Sequence, residues 1–576
     1  MNDFRKLLSY LGKYRKDLFI AALLVLIETC FELIIPTMMA DLIDNGVAFA
    51  DTRYMFIKGG QMAVCALLAL ATGLTYARFA ARAAYGWGAR IRQAEYERLQ
   101  GFAFSNIDHF ETSSLVTRMT SDVTVMQNSI NNGLRPLVRA PVMFLLGLFF
   151  SFSMNAELAL VFIILTPILG IVLFFIVSKA APLYSRLQKT VDSLNSVVEE
   201  NLRAVRTVKA FVRENYEEEK FEAVNERLYR TATRTNSTAV LNLPFFQAVM
   251  YLCILMLMFF GGRMVLSGTL LVGQLTGFLS YVMQVLNSMM MLSNVFLLLT
   301  RSLASAGRIN EVLKEESVLK EKDHPIKDNP SGEIEFRSVS FKYYADADEY
   351  TLKNISLRIE DGSTVGILGG TGSGKSTLVQ LIDRLYDASC GSVTVGGHDV
   401  RDYSLYELRE SVAMVLQKNL LFSGTIRENL LWGNEEASDE ELWSALETAG
   451  AKAFVSSFPA GLDTDLGQGG VNVSGGQKQR LCIARALLKK PRIIIFDDSL
   501  SAVDSATENQ IRQELKKLEG VTKIFIAQRI STVMSADMIF VLDDGQLAAS
   551  GTHEQLMKSS RVYQEICSSQ LKGGSL

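Results

Sequence analysis

Val365-Gly366-Ile367-Leu368-Gly369-Gly370-Thr371-Gly372-Ser373-Gly374-Lys375-Ser376-Thr377 decides how the C-terminal half of this chain is read. An apolar stretch leads into G-x-x-x-x-G-K-S, and Thr377-Leu378-Val379-Gln380-Leu381-Ile382 continues as a helix would. Strand, glycine loop and helix in that order make a phosphate cradle. The glycines let backbone N–H groups turn inward around phosphate oxygens. Lys375 adds a point charge near the β- and γ-phosphates, and the Ser376 hydroxyl can ligate Mg²⁺. A glycine-rich surface loop is the bland alternative, and it gives no reason for the motif to fall between a strand and a helix.

Downstream, Ile493-Ile494-Ile495-Phe496 delivers Asp497 at a strand end, where its carboxylate can hold the Mg²⁺ shell opposite Ser376. That pattern is common by itself and gains weight from following the glycine loop. Upstream, the segments 333–344 (EIEFRSVSFKYY) and 352–360 (LKNISLRIE) alternate as strands do. Strand and helix patterns then interleave, which predicts an α/β domain with a sheet core.

The N-terminal half reads differently. Gly59–Ala77, Ala140–Ala156, Leu158–Ser178, Val240–Gly262 and Met264–Thr300 contain no Asp, Glu, Lys or Arg. A spanning helix needs about 20 mostly apolar residues. Leu18–Met39 adds a candidate interrupted by Glu28 and Glu32. Six spans follow, near 17–45, 56–84, 134–153, 157–182, 239–262 and 269–300. Two unlike halves explain a mean hydropathy of +0.19 in a chain with 21% charged residues.

Lys and Arg cluster before the first span (Arg5, Lys6, Lys13, Arg15, Lys16), after the second (Arg90, Arg92, Arg98) and after the fourth (Arg203, Arg206, Lys209). The positive-inside rule therefore places the N-terminus and the C-terminal domain in the cytoplasm. The start is basic but lacks the short apolar core and small-residue cleavage site of a signal peptide. The long connections 85–133 and 183–238 are rich in helix formers and read as helices that leave the membrane and turn. A net charge of −3 gives no sign of a nucleic-acid partner, and six scattered cysteines without a C-x-x-C pair indicate neither a metal site nor a disulfide framework.

A charge in lipid is costly, so Glu28 and Glu32, one turn apart on one face, are a functional hypothesis. They face a substrate cavity, or bind a proton or cation, or form a buried hydrogen-bonded pair, or lie on a face near solvent. The last span carries Gln274, Gln284, Asn287, Asn294 and Met289-Met290-Met291, a mixture that suits an adaptable pocket and equally suits core packing. Residues 311–332, charged and with two prolines, read as a linker. The domains are therefore 1–310 transmembrane, 311–332 linker and 333–576 nucleotide-binding.

Val473-Ser474-Gly475-Gly476-Gln477-Lys478-Gln479-Arg480 resembles the signature of ATP-binding-cassette proteins. The resemblance covers the whole chain: a six-helix α-helical transmembrane domain followed by an α/β P-loop nucleotide-binding domain is similar to a bacterial half-transporter of the exporter type. It implies that Tyr343 stacks on adenine and that Gly369–Thr377 hold ATP. It also implies that Ser376, Gln417 and Asp497 serve Mg²⁺, and that Asp504, in Ser501-Ala502-Val503-Asp504, crosses to the other cassette. Ser474, Gly475, Gly476 and Gln477 would cover the γ-phosphate held by a partner. His109–Val123 and Thr207–Phe221 resemble the two cytoplasmic loops that dock on the cassettes. One chain holds one cassette, so two chains must meet.

The chain departs from that family at two hydrolytic positions. Asp498 stands where a Glu positions the attacking water, and Gln528 stands where a His senses the γ-phosphate. Gln468 likewise stands where family members commonly carry Glu. Asp is one methylene shorter than Glu, and Gln carries no imidazolium charge. The expectation is a degenerate ATP site in one half of a heterodimer, in the cytoplasmic membrane of a bacterium. The assembled dimer would be the ATP-hydrolysing transporter. Its cargo would be a hydrophobic or amphipathic small molecule, a lipid or a peptide, and the absence of a peptidase domain before the first span weakens processing-coupled peptide export. A homodimeric lipid flippase and an ATP-gated regulator or channel are the competing readings, and a soluble P-loop enzyme is excluded if the six spans insert.

Overall fold

The computed structural model describes residues 2–328, 330–344, 347–500 and 503–572. Two compact units emerge: Met1–Gln100 with Thr112–Glu315, and Gly101–Glu111 with Glu316–Leu576.

The first unit is helical. Among the described residues its helices of more than twenty residues are Arg15–Asp41, Thr52–Gln100, Leu134–Met154, Ala156–Ala210, Glu214–Val240, Asn242–Leu266 and Val272–Lys314. Among the described residues, four helical stretches are long and apolar enough to cross a membrane: Asp3–Val47, Thr52–Gln100, Thr112–Met154 and Glu214–Leu266. The helices Ala156–Ala210 and Val272–Lys314 contain side chains outside the described residues. Lipid offers no hydrogen bonds, so a span must satisfy its backbone internally, which is why this half is helix throughout. Pro36, Pro141, Pro167 and Pro182 sit inside these helices. The second, fourth and last helices run on well past the apolar segments, as expected for helices that protrude beyond the bilayer. The last one ends at Lys314, so residues 311–314 of the expected linker are still helix.

The ends are tied by side chains. Asp44 accepts from Gly273 N at 2.6 Å and Gln274 N at 3.1 Å, satisfying donors that the start of the last helix leaves open. Gln274 accepts from Leu271 N at 3.2 Å, so it works as a cap rather than as a pocket amide. Tyr281 donates to Leu33 O at 2.5 Å and bonds Thr37 at 2.5 Å, joining the first and last helices.

The second unit has two sheets. The strands are β1 Ile334–Phe341, β2 Leu352–Ile359, β3 Thr364–Gly369, β4 Cys390–Val395, β5 His398–Asp399, β6 Val412–Val415, β7 Ile493–Asp497, β8 Thr522–Ala527, β9 Met538–Asp543 and β10 Gln546–Gly551. The smaller sheet, β2-β1-β4-β5, is antiparallel, and the larger runs β10-β9-β3-β8-β7-β6. Within the larger sheet β6, β7, β8, β3 and β9 are parallel, and β10 returns antiparallel. β7 and β8 are buried along their whole length, as parallel strands covered on both faces must be. The helix Phe104–Phe110 packs with this unit although it lies between two spans in sequence. Asn106 holds it there, donating to Glu316 O at 3.0 Å and accepting from Val318 N at 3.2 Å.

Candidate nucleotide site

The glycine loop leaves β3 at Gly369 and enters the helix Lys375–Gln380. Gly372 at φ +83° and Gly374 at φ +91° adopt the left-handed conformation that turns the loop back on itself. At Gly374 an added methyl would also meet Leu352 at 2.7 Å. The Lys375 ammonium donates to Gly370 O at 2.6 Å, Gly369 O at 3.0 Å and Ser373 Oγ at 3.4 Å. Burial pushes its pKa down, against the opposing pull of Asp498 and Asp497.

Parallel strands of one sheet bring the acids to this loop, with β8 lying between β3 and β7. Asp497 ends β7, and its Oδ1 accepts from the Ser376 hydroxyl at 2.8 Å. Burial raises the pKa of Asp497 and the neighbouring Asp498 raises it further, while Ser376 and Lys375 hold it down. Asp498 follows at φ +48°, a left-handed conformation that Asp adopts more readily than most side chains. The Gln528 amide donates to Asp498 Oδ2 at 3.1 Å. Burial raises the pKa of Asp498, opposed by Lys375, Arg529 and this bond.

Tyr343 lies beside the loop, 38% exposed. Its hydroxyl bonds Thr377 at 2.8 Å and donates to Gln380 at 3.3 Å. Its ring meets Phe341 and Tyr386 edge-on at 4.9 and 5.2 Å. Tyr386 in turn donates to Asp108 on the helix Phe104–Phe110 at 2.8 Å. No motif flags Tyr386, although its place shortly after the P-loop helix is a usable hint. Gln570 was missed as well: it donates to Gln528 O at 2.7 Å and accepts from Ile530 N at 2.9 Å, clamping the turn after β8 to the C-terminal helix Arg561–Lys572.

The signature residues lie elsewhere. Ser474 caps the helix Gly475–Leu488, its Oγ accepting from Gln477 N at 3.4 Å while Ser474 N donates to Gln477 Oε1 at 2.9 Å. This helix packs against β6 and the helices Ile426–Leu431 and Asp439–Thr448. β6 is three strand positions from β3, about 14 Å at 4.7–4.9 Å per strand. Ser474 and Gly475 are exposed. Gln417 is exposed just after β6. Asp504 caps the helix Ser505–Lys516 by accepting from Thr507 N at 3.0 Å, while Ser501 and Ala502 lie outside the described residues.

In the membrane unit the two glutamates have basic partners: Glu28 pairs with Arg135, and Glu32 with Arg139 at 2.5 Å. Glu32, Arg139, Gln284, Asn287 and Met291 line one cavity of about 400 Å³. The side chains of Met289 and Asn294 lie outside the described residues.

Comparison with known proteins matches both halves. The family model for the ABC transporter transmembrane region covers residues 18–289, and that for the ABC transporter covers 352–501. The chain is 38% identical to an uncharacterized ABC transporter ATP-binding protein, YfiB, of Bacillus subtilis over 98% of each chain. It is 30% identical to the ATP-dependent lipid A-core flippase of Syntrophus aciditrophicus over 99% of this chain and 95% of that one. Its fold matches a bacterial Atm1-family ABC exporter solved with ATP bound, at a TM-score of 0.83 and 24% identity, over 96% of this chain and 99% of the other. The chain belongs to the ABC transporter family and joins a transmembrane domain to an ATP-binding cassette.

Proposed function

We propose that this chain is one half of a heterodimeric ATP-driven exporter in a bacterial cytoplasmic membrane, with residues 1–310 as the pathway, 311–332 as the linker and 333–576 as the cassette. Its own site binds ATP with Mg²⁺ and hydrolyses it poorly. Its signature, Ser474 to Gln477, completes the hydrolytic site of a different partner chain. The bacterial relatives and the basic residues flanking the spans support this placement, with the N-terminus and cassette on the cytoplasmic side.

The observation that carries the reading is the hydrogen bond between Gln528 and Asp498, set beside an intact phosphate loop. A base must reach its proton donor at about 2.6–3.2 Å. Asp498 is one methylene short, and one of its oxygens already accepts from an amide. A displacement of about 1 Å can cost roughly 10²-fold in rate. Gln528 offers a hydrogen bond to phosphate and no positive charge. Ser376, Asp497 and Gln417 supply hard oxygen donors, the chemistry Mg²⁺ selects, and the 2.8 Å bond sets the first two at one point. Mg²⁺ there would neutralise β- and γ-phosphate oxygens. The exposed signature lies too far along the sheet to serve its own loop, which supports a role toward a second chain.

Steady-state ATPase of the purified single chain tests the reading. The expected result is a rate far below that of the complex with a half-transporter that carries Glu and His at the two positions. A single-chain rate equal to that of the complex overturns it, and would favour the homodimeric lipid-flipping alternative that the flippase relative suggests.

A further inference from the structure

The first-span helix carries two glutamates one turn apart, and the third-span helix answers with two arginines at the same spacing. The two pairs have unlike surroundings. The Glu28 side chain is 5% exposed, and Gly73 backs it so closely that an added methyl would reach 3.0 Å from its Oε1. Glu32 and Arg139 keep 26% and 21% of their side chains exposed and stand together in the wall of the 400 Å³ cavity. Gln284 and Asn287 add amides to that wall, and Met143 and Met291 add thioethers. Gln284 Oε1 itself is buried in the wall without a hydrogen-bond partner.

We propose that this cavity binds a zwitterionic amphiphile, with the cation of its head at Glu32, the anion at Arg139 and its apolar part against the methionines. The proposal rests on reading the chain as a transporter half. Charge decides the ligand class. A singly charged ligand takes one member of the pair and strands the other, and a partly buried charge left without its partner is unfavourable. A zwitterion exchanges one ion pair for two, so every charge keeps a partner. Thioethers adapt to varied apolar groups. The volume falls within the roughly 300–1,000 Å³ of small-ligand sites.

The test measures binding to the assembled transporter without nucleotide, using three probes with the same chain: octylphosphocholine, octyltrimethylammonium and octyl phosphate, each below its micelle concentration. Octylphosphocholine is expected to bind at least about tenfold more tightly than either probe that carries charge of one sign only, and more tightly than chain-free phosphocholine. Glu32→Gln should shift the preference to octyl phosphate, and Arg139→Gln to octyltrimethylammonium. The double variant should lose charge preference, and Glu28→Gln should leave the ranking as it is. A misfolded variant loses all binding and gains no new preference, so the shifts separate recognition from structural damage. Equal affinity for the three probes, a ranking unmoved by the variants, or equal binding of phosphocholine alone overturns the proposal. Because binding is read without ATP, its failure leaves the ATPase account standing, and failure of the ATPase account leaves the probe ranking to be judged separately.

Discussion

The two sides of the nucleotide site are built to different standards. On the side that holds phosphate, Lys375 is fixed by three contacts within its own loop, and Ser376 and Asp497 meet at 2.8 Å. On the side where water would attack, a short carboxylate in a left-handed conformation is bonded to an amide. Gripping and hydrolysing nucleotide are separable properties, because they rest on different side chains. The grip comes from the loop after β3 and the end of β7, and the water side from the residue after β7 and the turn after β8. A chain can lose one and keep the other without disturbing the sheet.

The largest expected effect sharpens that contrast. Preorganised donors aimed at developing charge are worth about 10²–10³-fold in rate. In the assembled heterodimer at saturating ATP, Ser474→Ala with Gly476→Asp should therefore lower ATPase by that order, whereas Lys375→Ala should lower it far less. If the Lys375 variant is the deader of the two, this chain's own site is the hydrolytic one.

Next in size is a gain. Asp498→Glu with Gln528→His in the single chain should raise its ATPase by about tenfold or more, since a carboxylate 1 Å nearer recovers part of a roughly 10²-fold loss. An unchanged rate would mean that the water side is limited by something other than these two side chains.

In the membrane unit, Glu28→Gln and Glu32→Gln should part company. Glu28→Gln leaves Arg135 without its counter-charge beside a tightly packed Gly73, and should lower thermal stability by about 1–3 kcal/mol. Glu32→Gln, in a pair about a quarter exposed in the cavity wall, should leave the melting temperature nearly unchanged and alter transport. Equal melting shifts for both would break the distinction.

A further effect concerns the frame behind the phosphate loop. Burial pushes the carboxyl of Asp383 up to about 7, against Arg409 and Lys489. Its folded pKa lies above its unfolded value near 3.9, so its contribution is fully present below that value and is lost as pH rises towards 7. Thermal denaturation of the whole chain should show Asp383→Asn losing less stability than the wild type between pH 4 and pH 8. Parallel pH curves would contradict this.

Much of this was readable in the chain, and the reason differs from place to place. The glycine loop, Asp497, Asp498 and Gln528 stand out because each motif is local and its chemistry needs those residue types at that spacing. The apolar helices follow from lipid's demand for apolar, internally bonded segments. Pairing across long separations was not readable: nothing in sequence order announces β10-β9-β3-β8-β7-β6, because parallel neighbours are joined by long crossovers. The helix Phe104–Phe110 reads as part of a protruding loop, yet Asn106 and Asp108 bind it to the cassette unit. The partners of Glu28 and Glu32 did leave a trace. Arg135 and Arg139 repeat the same four-residue spacing in a later span, and matching the two spacings would have paired them. Gln274 misled because an amide in an apolar span looks the same whether it lines a pocket or caps a helix.

The central claim is that this chain keeps its nucleotide intact while its partner turns ATP over. The most direct measurement is photolabelling of the working complex with azido-ATP carrying phosphorus label at either the α or the γ position, followed by separation of the two chains. The account predicts that during steady turnover this chain retains α and γ label equally, while the partner retains α label and loses γ. Loss of γ label from this chain at the rate of the partner would contradict it.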